Sequence, residues 1–417
     1  MNLSATAQAT LLLTCYFSRA SKEDAKPLTN LEWGRFAIWL KEKNTNPADL
    51  LVSKPQALLS GWHDTRITTD RILSLLSRGH SLALSIEKWQ RAGLWVITRS
   101  DPEYPKRLKS RLKTNSPPVL FGCGNRELLN SGGIAVVGSR NACDEDLMFT
   151  RQLGAKAAAQ GMAIVSGGAR GVDEAAMLSA MEAGGGVIGV MADSLLKAAT
   201  SAKWRAGLMN GNVVLVSPFY PEAGFNTGNA MARNKYIYCL ADTSVVVHSG
   251  TKGGTLSGAQ ENLKEHWVPL WVKPTQDKNA ANAMLVSKGG HWCDESLHEF
   301  DLTMLYAVSP IESSGSELFS KANETLDLFS DKVQEPATEF HDVESNQGED
   351  VVDFYGLFVR ELARLAVEPI ELDELLEKTG LHKSQVTDWL NRSLDEGYVS
   401  KLNRPVRYQY NQDVRKE

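Results

Sequence analysis

Three glycine-rich turns carry basic residues: Gly138-Ser139-Arg140, then Ser166-Gly167-Gly168-Ala169-Arg170-Gly171, and Gly250-Thr251-Lys252-Gly253-Gly254-Thr255. Each follows a short apolar run and opens a helical pattern, so each offers unpaired backbone N–H groups at a helix start, where an anion is stabilised. Arg140, Arg170 and Lys252 add charge, and the chemistry this suits is phosphate binding. One such turn is ordinary strand-to-helix geometry; three with basic residues point to a phosphate site without a base-edge reader. Arg233-Asn234-Lys235 falls in a helical stretch after Phe225 and reads either as a basic contact or as a solvated face. Asp173 reads as a helix N-cap, and His248 as a satisfied histidine at a strand end.

Several chemistries lack their residues. No GxGxxG follows the first strand and no acidic residue closes the second, so no dinucleotide cofactor is expected; the GxxxxGK[ST] loop of nucleotide hydrolases is also missing. Five cysteines at wide spacing (Cys15, Cys123, Cys143, Cys239, Cys293) and eight scattered histidines suggest reduced thiols and no metal site. A phosphoribohydrolase-like, nucleotide-binding enzyme would need a Glu soon after Gly253-Gly254-Thr255, and Glu261 is off that spacing. No catalytic residue is singled out, and the chain reads as a non-enzyme.

The turns sit between runs that read as strands buried on both faces: Ile134–Val137, Met162–Val165, Val187–Met191, Val213–Val216, Ser244–Val247 and Val268–Val272. Helices fit the gaps at Glu145–Gln160, Glu174–Glu182, Ser201–Met209, Ala230–Leu240 and Leu256–Glu265. The alternation predicts an α/β fold, a Rossmann-like doubly wound parallel sheet over 131–305. Residues 1–92 read as a helical domain, with helices at 5–19, 29–43 and 67–92 and apolar positions such as Leu31, Phe36, Ile38, Trp39 and Leu40. Residues 93–130 form an extended lead-in. Residues 351–417 give three helices and a hairpin, a winged-helix pattern in which Lys383, Arg392, Lys401, Arg404 and Arg407 suit duplex phosphates while Glu371, Asp373, Glu374 and Glu377 do not.

The chain of 417 residues is 42% hydrophobic and 23% charged, with a net charge of −5. The charge is uneven: residues 1–130 carry +8 and residues 311–350 carry −9. Residues 306–350, polar and acidic, read as a flexible linker, with Leu326, Leu328 and Phe329 a candidate docking motif inside it. Lys106, Arg107, Lys109, Arg111 and Lys113 form a dense basic patch. No run approaches the ~20 apolar residues of a membrane span, and no Lys or Arg precedes Arg19 to start an export signal. A cytoplasmic protein without membrane contact is expected.

The runs Gly133–Arg140 and Ser166–Asp173, the Arg233-Asn234 pair, the Gly253-Gly254-Thr255 turn and the upstream Pro118–Gly124 segment resemble the DNA-processing protein A (DprA/Smf) family. The resemblance covers about residues 90–300. It implies a single-stranded DNA-binding accessory protein of recombination or transformation that forms a homodimer through its Rossmann domain and helps load a RecA-type recombinase. It also implies a DNA pocket lined by Gly138, Ser139, Arg140, Ser166, Gly167, Arg170, Arg233, Asn234 and Lys235. The glycine turns themselves add Gly168, Gly171, Lys252, Gly253, Gly254 and Thr255 as phosphate-binding candidates, although the Lys252 turn departs from the family's usual pattern, and Tyr236 or Phe225 could offer a base a stacking surface. Lys235 stands where the family usually has a second arginine, and Tyr236, Tyr238 and Cys239 follow in place of small and apolar residues. These departures mark a divergent branch, and they leave open a second role, as the regulatory partner of a toxin in a phage-defence system.

Overall fold

The structure, a computed structural model, describes residues 3–18, 25–52, 54–294, 301–306, 354–379, 381, 383–402 and 406–411. Residues 307–350, which hold most of the expected acidic linker and the candidate docking motif, lie outside them, as does Arg404. The chain divides into two compact units, Met1–Val333 and Gln334–Glu417.

The first unit begins with helices α1 (Ala5–Thr14), α2 (Asn30–Glu42), α3 (Asp49–Val52), α4 (Pro55–Leu58), α5 (Thr69–Leu76) and α6 (Gly79–Arg91). The single helix expected over 67–92 is two, broken at Ser77-Arg78. Of the apolar positions at helical spacing, Leu31 and Ile38 are exposed, whereas Trp33, Phe36, Ala37 and Leu40 are buried. The buried set recurs at i, i+3, i+4, i+7, the stripe of an amphipathic helix, and the other two fall off it.

Strand β1 (Trp95–Thr98), helix α7 (Lys106–Leu112) and strand β2 (Val119–Gly124) come from the lead-in. Then follow β3 (Ile134–Val137), α8 (Asp144–Ala159), β4 (Ile164–Ser166), α9 (Val172–Glu182), β5 (Val187–Val190), α10 (Leu195–Ala199), α11 (Ala202–Asn210), β6 (Val213–Ser217), α12 (Thr227–Leu240), β7 (Thr243–Val246), α13 (Gly254–Glu265), β8 (Leu270–Val272), α14 (Asn282–Ser287) and β9 (His291–Trp292). All nine strands make one sheet in the order β1-β2-β6-β5-β4-β3-β7-β8-β9. It is parallel from β6 to β9, but β1 and β2 join antiparallel at one edge. The sheet is therefore mixed rather than wholly parallel, because the Pro-punctuated lead-in extends it instead of standing apart.

Side chains alternate across the sheet. Ile134 and Val136 share a core with α8 and α9, while Ala135 and Val137 share one with α12 and α13. Helices α1 and α6 lie on the first face, where the Trp89 ring meets Phe121 edge-on at 4.9 Å between centroids. The sequence order of neighbours reverses between β3 and β7. That is the topological switch point, where the strands' carboxyl ends open a crevice.

The second unit holds α15 (Phe354–Leu365), α16 (Leu372–Thr379), α17 (Lys383–Asp395) and an antiparallel hairpin of β10 (Val399–Leu402) and β11 (Arg407–Tyr410). Phe358, Leu362, Leu375, Val386, Trp389 and Leu390 are buried in it. No described helix is long and apolar enough to cross a membrane.

Cys15, Cys123, Cys239 and Cys293 are buried and Cys143 is exposed, all five as free thiols. Burial pushes the Cys15 and Cys123 thiols up to about 12 and the Cys293 thiol to about 11, and the thiolate is the reactive form. Iodoacetamide on the native protein should therefore modify Cys143 alone, as read by peptide mass spectrometry, with the other four reacting only in denaturant.

Candidate nucleic-acid interface

Asp173 and Arg233 lie on the buried stripes of their helices. Asp173 shares its face of α9 with Ala176, Met177 and Ala180, and Arg233 shares its face of α12 with Tyr236, Ile237 and Leu240. Both side chains are almost fully enclosed, with Arg233 Nη2 at 4.0 Å from Asp173 Oδ2. The backbone N–H groups of Gly138, Gly167 and Ala169 stabilise the Asp173 carboxylate electrostatically. It is thus a tie between the turns after β3 and β4, not the expected cap, and the N-cap of α9 is Gly171. Burial pushes its carboxyl above the usual carboxylate range, against the pull of Arg233 and the three N–H groups.

Arg233 Nη1 donates to the Val190 carbonyl at 2.6 Å, holding the end of β5. Gly167 makes room for it, since a Cβ there would sit 1.7 Å from Nη1. Gly171, at φ +92°, packs where a Cβ would meet the Ser139 carbonyl at 2.4 Å. Arg233 Nε is buried without a hydrogen-bond partner, although such groups are ordinarily satisfied.

Above this pair the switch-point crevice opens as a cleft of about 440 Å³ lined by Gly138, Ser139, Arg140, Asp173, Phe225, Arg233, Asn234, Lys252, Gly253, Gly254 and Thr255, among others. A second lobe, lined by Gly167, Gly168, Arg170 and Asp193, shares Arg140, Phe225 and Arg233 with the first. Thr255 Oγ1 donates to the Gly138 carbonyl at 3.1 Å and Asn234 Nδ2 to the Gly254 carbonyl at 2.9 Å, so α12, α13 and the β3 turn hold one another. Helix α13 starts at Gly253 without a side-chain cap, leaving its first N–H groups for an anion. Arg140 is exposed, with its guanidinium 5.2 Å from the centroid of the exposed Phe225 ring.

Most of the residues picked from the sequence thus converge. The departures have physical reasons. Ser166 is buried, with its hydroxyl donating to the Val136 carbonyl at 2.6 Å, and lines neither lobe. Tyr236 is buried, its hydroxyl accepting from Asn30 Nδ2 at 3.5 Å, so it has no free face for a base. Lys235 lies over the Tyr236 ring, outside the lining. Arg233 is not on a solvated face. Its place was readable, because Tyr236, Ile237 and Leu240 follow it at i+3, i+4 and i+7. Sequence reading passed over Asp193.

The basic patch on α7 is partly structural: Arg107 pairs with Asp242 at 2.8 Å, and Arg111 donates to the Tyr238, Cys239 and Ala241 carbonyls at the end of α12. In the second unit Arg392 pairs with Glu396, and Arg407 with Glu371. His248 Nε2 contacts Asp277 Oδ2 at 3.1 Å, and His248 lines neither lobe. Glu261 is exposed on α13, away from the cleft. Among the described residues no three His, Cys, Asp or Glu side chains cluster as metal ligands.

Residues 95–300 match the family model of DNA recombination-mediator protein A. The chain is 30% identical to the DNA processing protein DprA of Bacillus subtilis over 179 residues, 42% of this chain and 60% of that one. It is 30% identical to the protein Smf of Escherichia coli over 199 residues, 47% of this chain and 51% of that one. These matches span roughly half to three-fifths of the relatives' length. The X-ray structure of DprA from Streptococcus pneumoniae superposes on 72% of this chain and 99% of its own, at 21% identity and a TM-score of 0.53, which shows a shared fold.

Breaking a buried charge pair from one side strands the other charge, at a cost of about 3–5 kcal/mol. Arg233→Met should lower unfolding free energy by that amount in urea titrations, and adding Asp173→Asn should return part of it. Arg140→Ala, at an exposed site, should leave the urea midpoint within error.

Proposed function

Residues 95–300 make this chain a member of the DprA/Smf family, and from that premise we propose that it binds single-stranded DNA at the switch-point cleft as an accessory protein of recombination or transformation. The observation that carries the reading is the cleft itself. Exposed Arg140, Arg170 and Lys252 and the uncapped start of α13 face one opening beside an exposed aromatic ring, with the buried Arg233 in its lining. Basic groups that track a backbone and a ring on which a base stacks are the two parts of a single-strand site. A base in a duplex has both faces covered by its neighbours, so Phe225 favours an unpaired strand.

The protein acts, on this reading, in the cytoplasm as a homodimer through its Rossmann-like unit, shielding the strand and passing it to a RecA-type recombinase. The second unit is read as a winged helix that docks protein rather than DNA, because the Arg392 and Arg407 guanidiniums already pair with carboxylates and α16 begins with Asp373 and Glu374.

Fluorescence anisotropy with labelled oligonucleotides tests this. Affinity for a single strand should exceed that for a duplex of the same length and fall steeply with salt, as released counterions require. Arg140→Ala should cost about 1.5–3 kcal/mol of binding, the loss of a charge-assisted contact, with unchanged melting. Equal duplex affinity, or an Arg140→Ala protein that binds as before, overturns the assignment. Deleting residues 351–417 should leave single-strand affinity within about twofold, and a collapse would place the second unit in the DNA site.

A further inference from the structure

The two lobes of the cleft differ in chemistry. In the first, the only carboxylate is Asp173, which is almost fully buried beside Arg233. The second, of about 340 Å³, has a floor of Met191 and Ala192 and a partly exposed carboxylate, Asp193. Among the described residues Asp193 has no hydrogen bond or ion pair, although its charge acts on the buried Arg233.

Its backbone is held in an unusual shape. Ser194 adopts φ +38° and ψ 52°, a left-handed conformation costly for a residue with a side chain. Ser194 N–H donates to the Ala223 carbonyl at 2.7 Å and Leu196 N–H to that of Pro221 at 3.0 Å. These bonds fasten the turn carrying Asp193 to the segment that leads into Phe225, so a free carboxylate and an exposed ring are fixed beside one another at one lobe.

We propose that this lobe reads a base, and that the base is guanine. The inference rests on the single-strand reading above and deepens it. Arg140, Arg170 and Arg233 also line the second lobe, so a phosphate can lie there as well as in the first lobe with Lys252 and the start of α13; what sets the second lobe apart is the Asp193 carboxylate. Beside those guanidiniums, the second lobe offers an apolar floor, an aromatic face and two acceptor oxygens. The Watson–Crick edge of guanine alone places two donors side by side, N1–H and the N2 amino group, to meet both oxygens of one carboxylate. Adenine and cytosine put an acceptor beside their amino group, and thymine flanks its N3–H with two carbonyls. Asp193 then fixes base identity while Phe225 and Arg140 hold the base and its backbone.

The test compares labelled repeats of thymine with guanine, 7-deazaguanine, inosine or adenine by anisotropy, with oligothymidine as reference. 7-Deazaguanine keeps both donors and removes the N7 that four-stranded assemblies need; inosine removes only the N2 amino group. The full-length protein should bind the 7-deazaguanine repeat about tenfold more tightly than the adenine repeat or oligothymidine, with inosine losing most of that gain. Asp193→Asn should erase the preference without weakening oligothymidine binding, because it removes a negative charge from the cleft. Equal affinity for all repeats, or a preference that survives Asp193→Asn, overturns the guanine assignment and leaves single-strand binding standing. Failure to bind even oligothymidine at low salt overturns both.

Discussion

A guanidinium and a carboxylate taken out of water must find partners or lose their charge, and the rim of this sheet is built around that requirement. Asp173 and Arg233 come from α9 and α12, on opposite faces of the sheet, and meet above the ends of its strands. Satisfying the carboxylate draws in the N–H groups of Gly138, Gly167 and Ala169; satisfying the guanidinium draws in the Val190 carbonyl. Two helices and the turns after three strands are thereby set by one pair. The pair is long, at 4.0 Å, and Arg233, which lines the cleft, keeps a buried Nε without a hydrogen-bond partner. A buried pair adds little net stability; its effect here is to fix where the turns sit.

The same rim repeats the device at β8. Lys273 is buried against Asp146 at 3.2 Å and Glu145 at 3.1 Å at the start of α8. Two enclosed cations therefore sit at the carboxyl ends of the strands while the exposed ones, Arg140, Arg170 and Lys252, stand above. The overall charge of −5 describes neither group, because a ligand meets the local field within about a Debye length, ~8–10 Å, rather than the sum over the chain.

The central strands and the helices between them were legible because a strand buried on both faces is a short unbroken apolar run, and the runs at 134, 187 and 213 have no second reading. The glycine turns were legible for the wrong reason in part: Gly167 and Gly171 serve close packing against Arg233 and Ser139 as well as any ligand. What stayed hidden depends on tertiary contact. Tyr236 looks like a free ring in the sequence, yet it is buried and its hydroxyl accepts from Asn30, distant in the chain. Arg111 looks like surface charge and is used by the carbonyls that end α12. Asp193 carries no motif; only the backbone bonds between its turn and the segment before Phe225 give it a position.

The site divides its donors into two kinds, and the division has an energetic sense. The backbone N–H groups and Arg233 are ordered before any ligand arrives, so using them costs no further side-chain entropy. Arg140 and Lys252 are exposed long side chains, and immobilising each costs roughly 0.5–1.5 kcal/mol. Arg140 already rests against the Phe225 ring, a contact worth about 0.5–1 kcal/mol at an exposed site, which confines it before binding. On the proposed single-strand reading, a base that takes the ring face competes with that contact and frees the guanidinium for a backbone phosphate. On that reading, stacking and phosphate contact are coupled through this one residue pair.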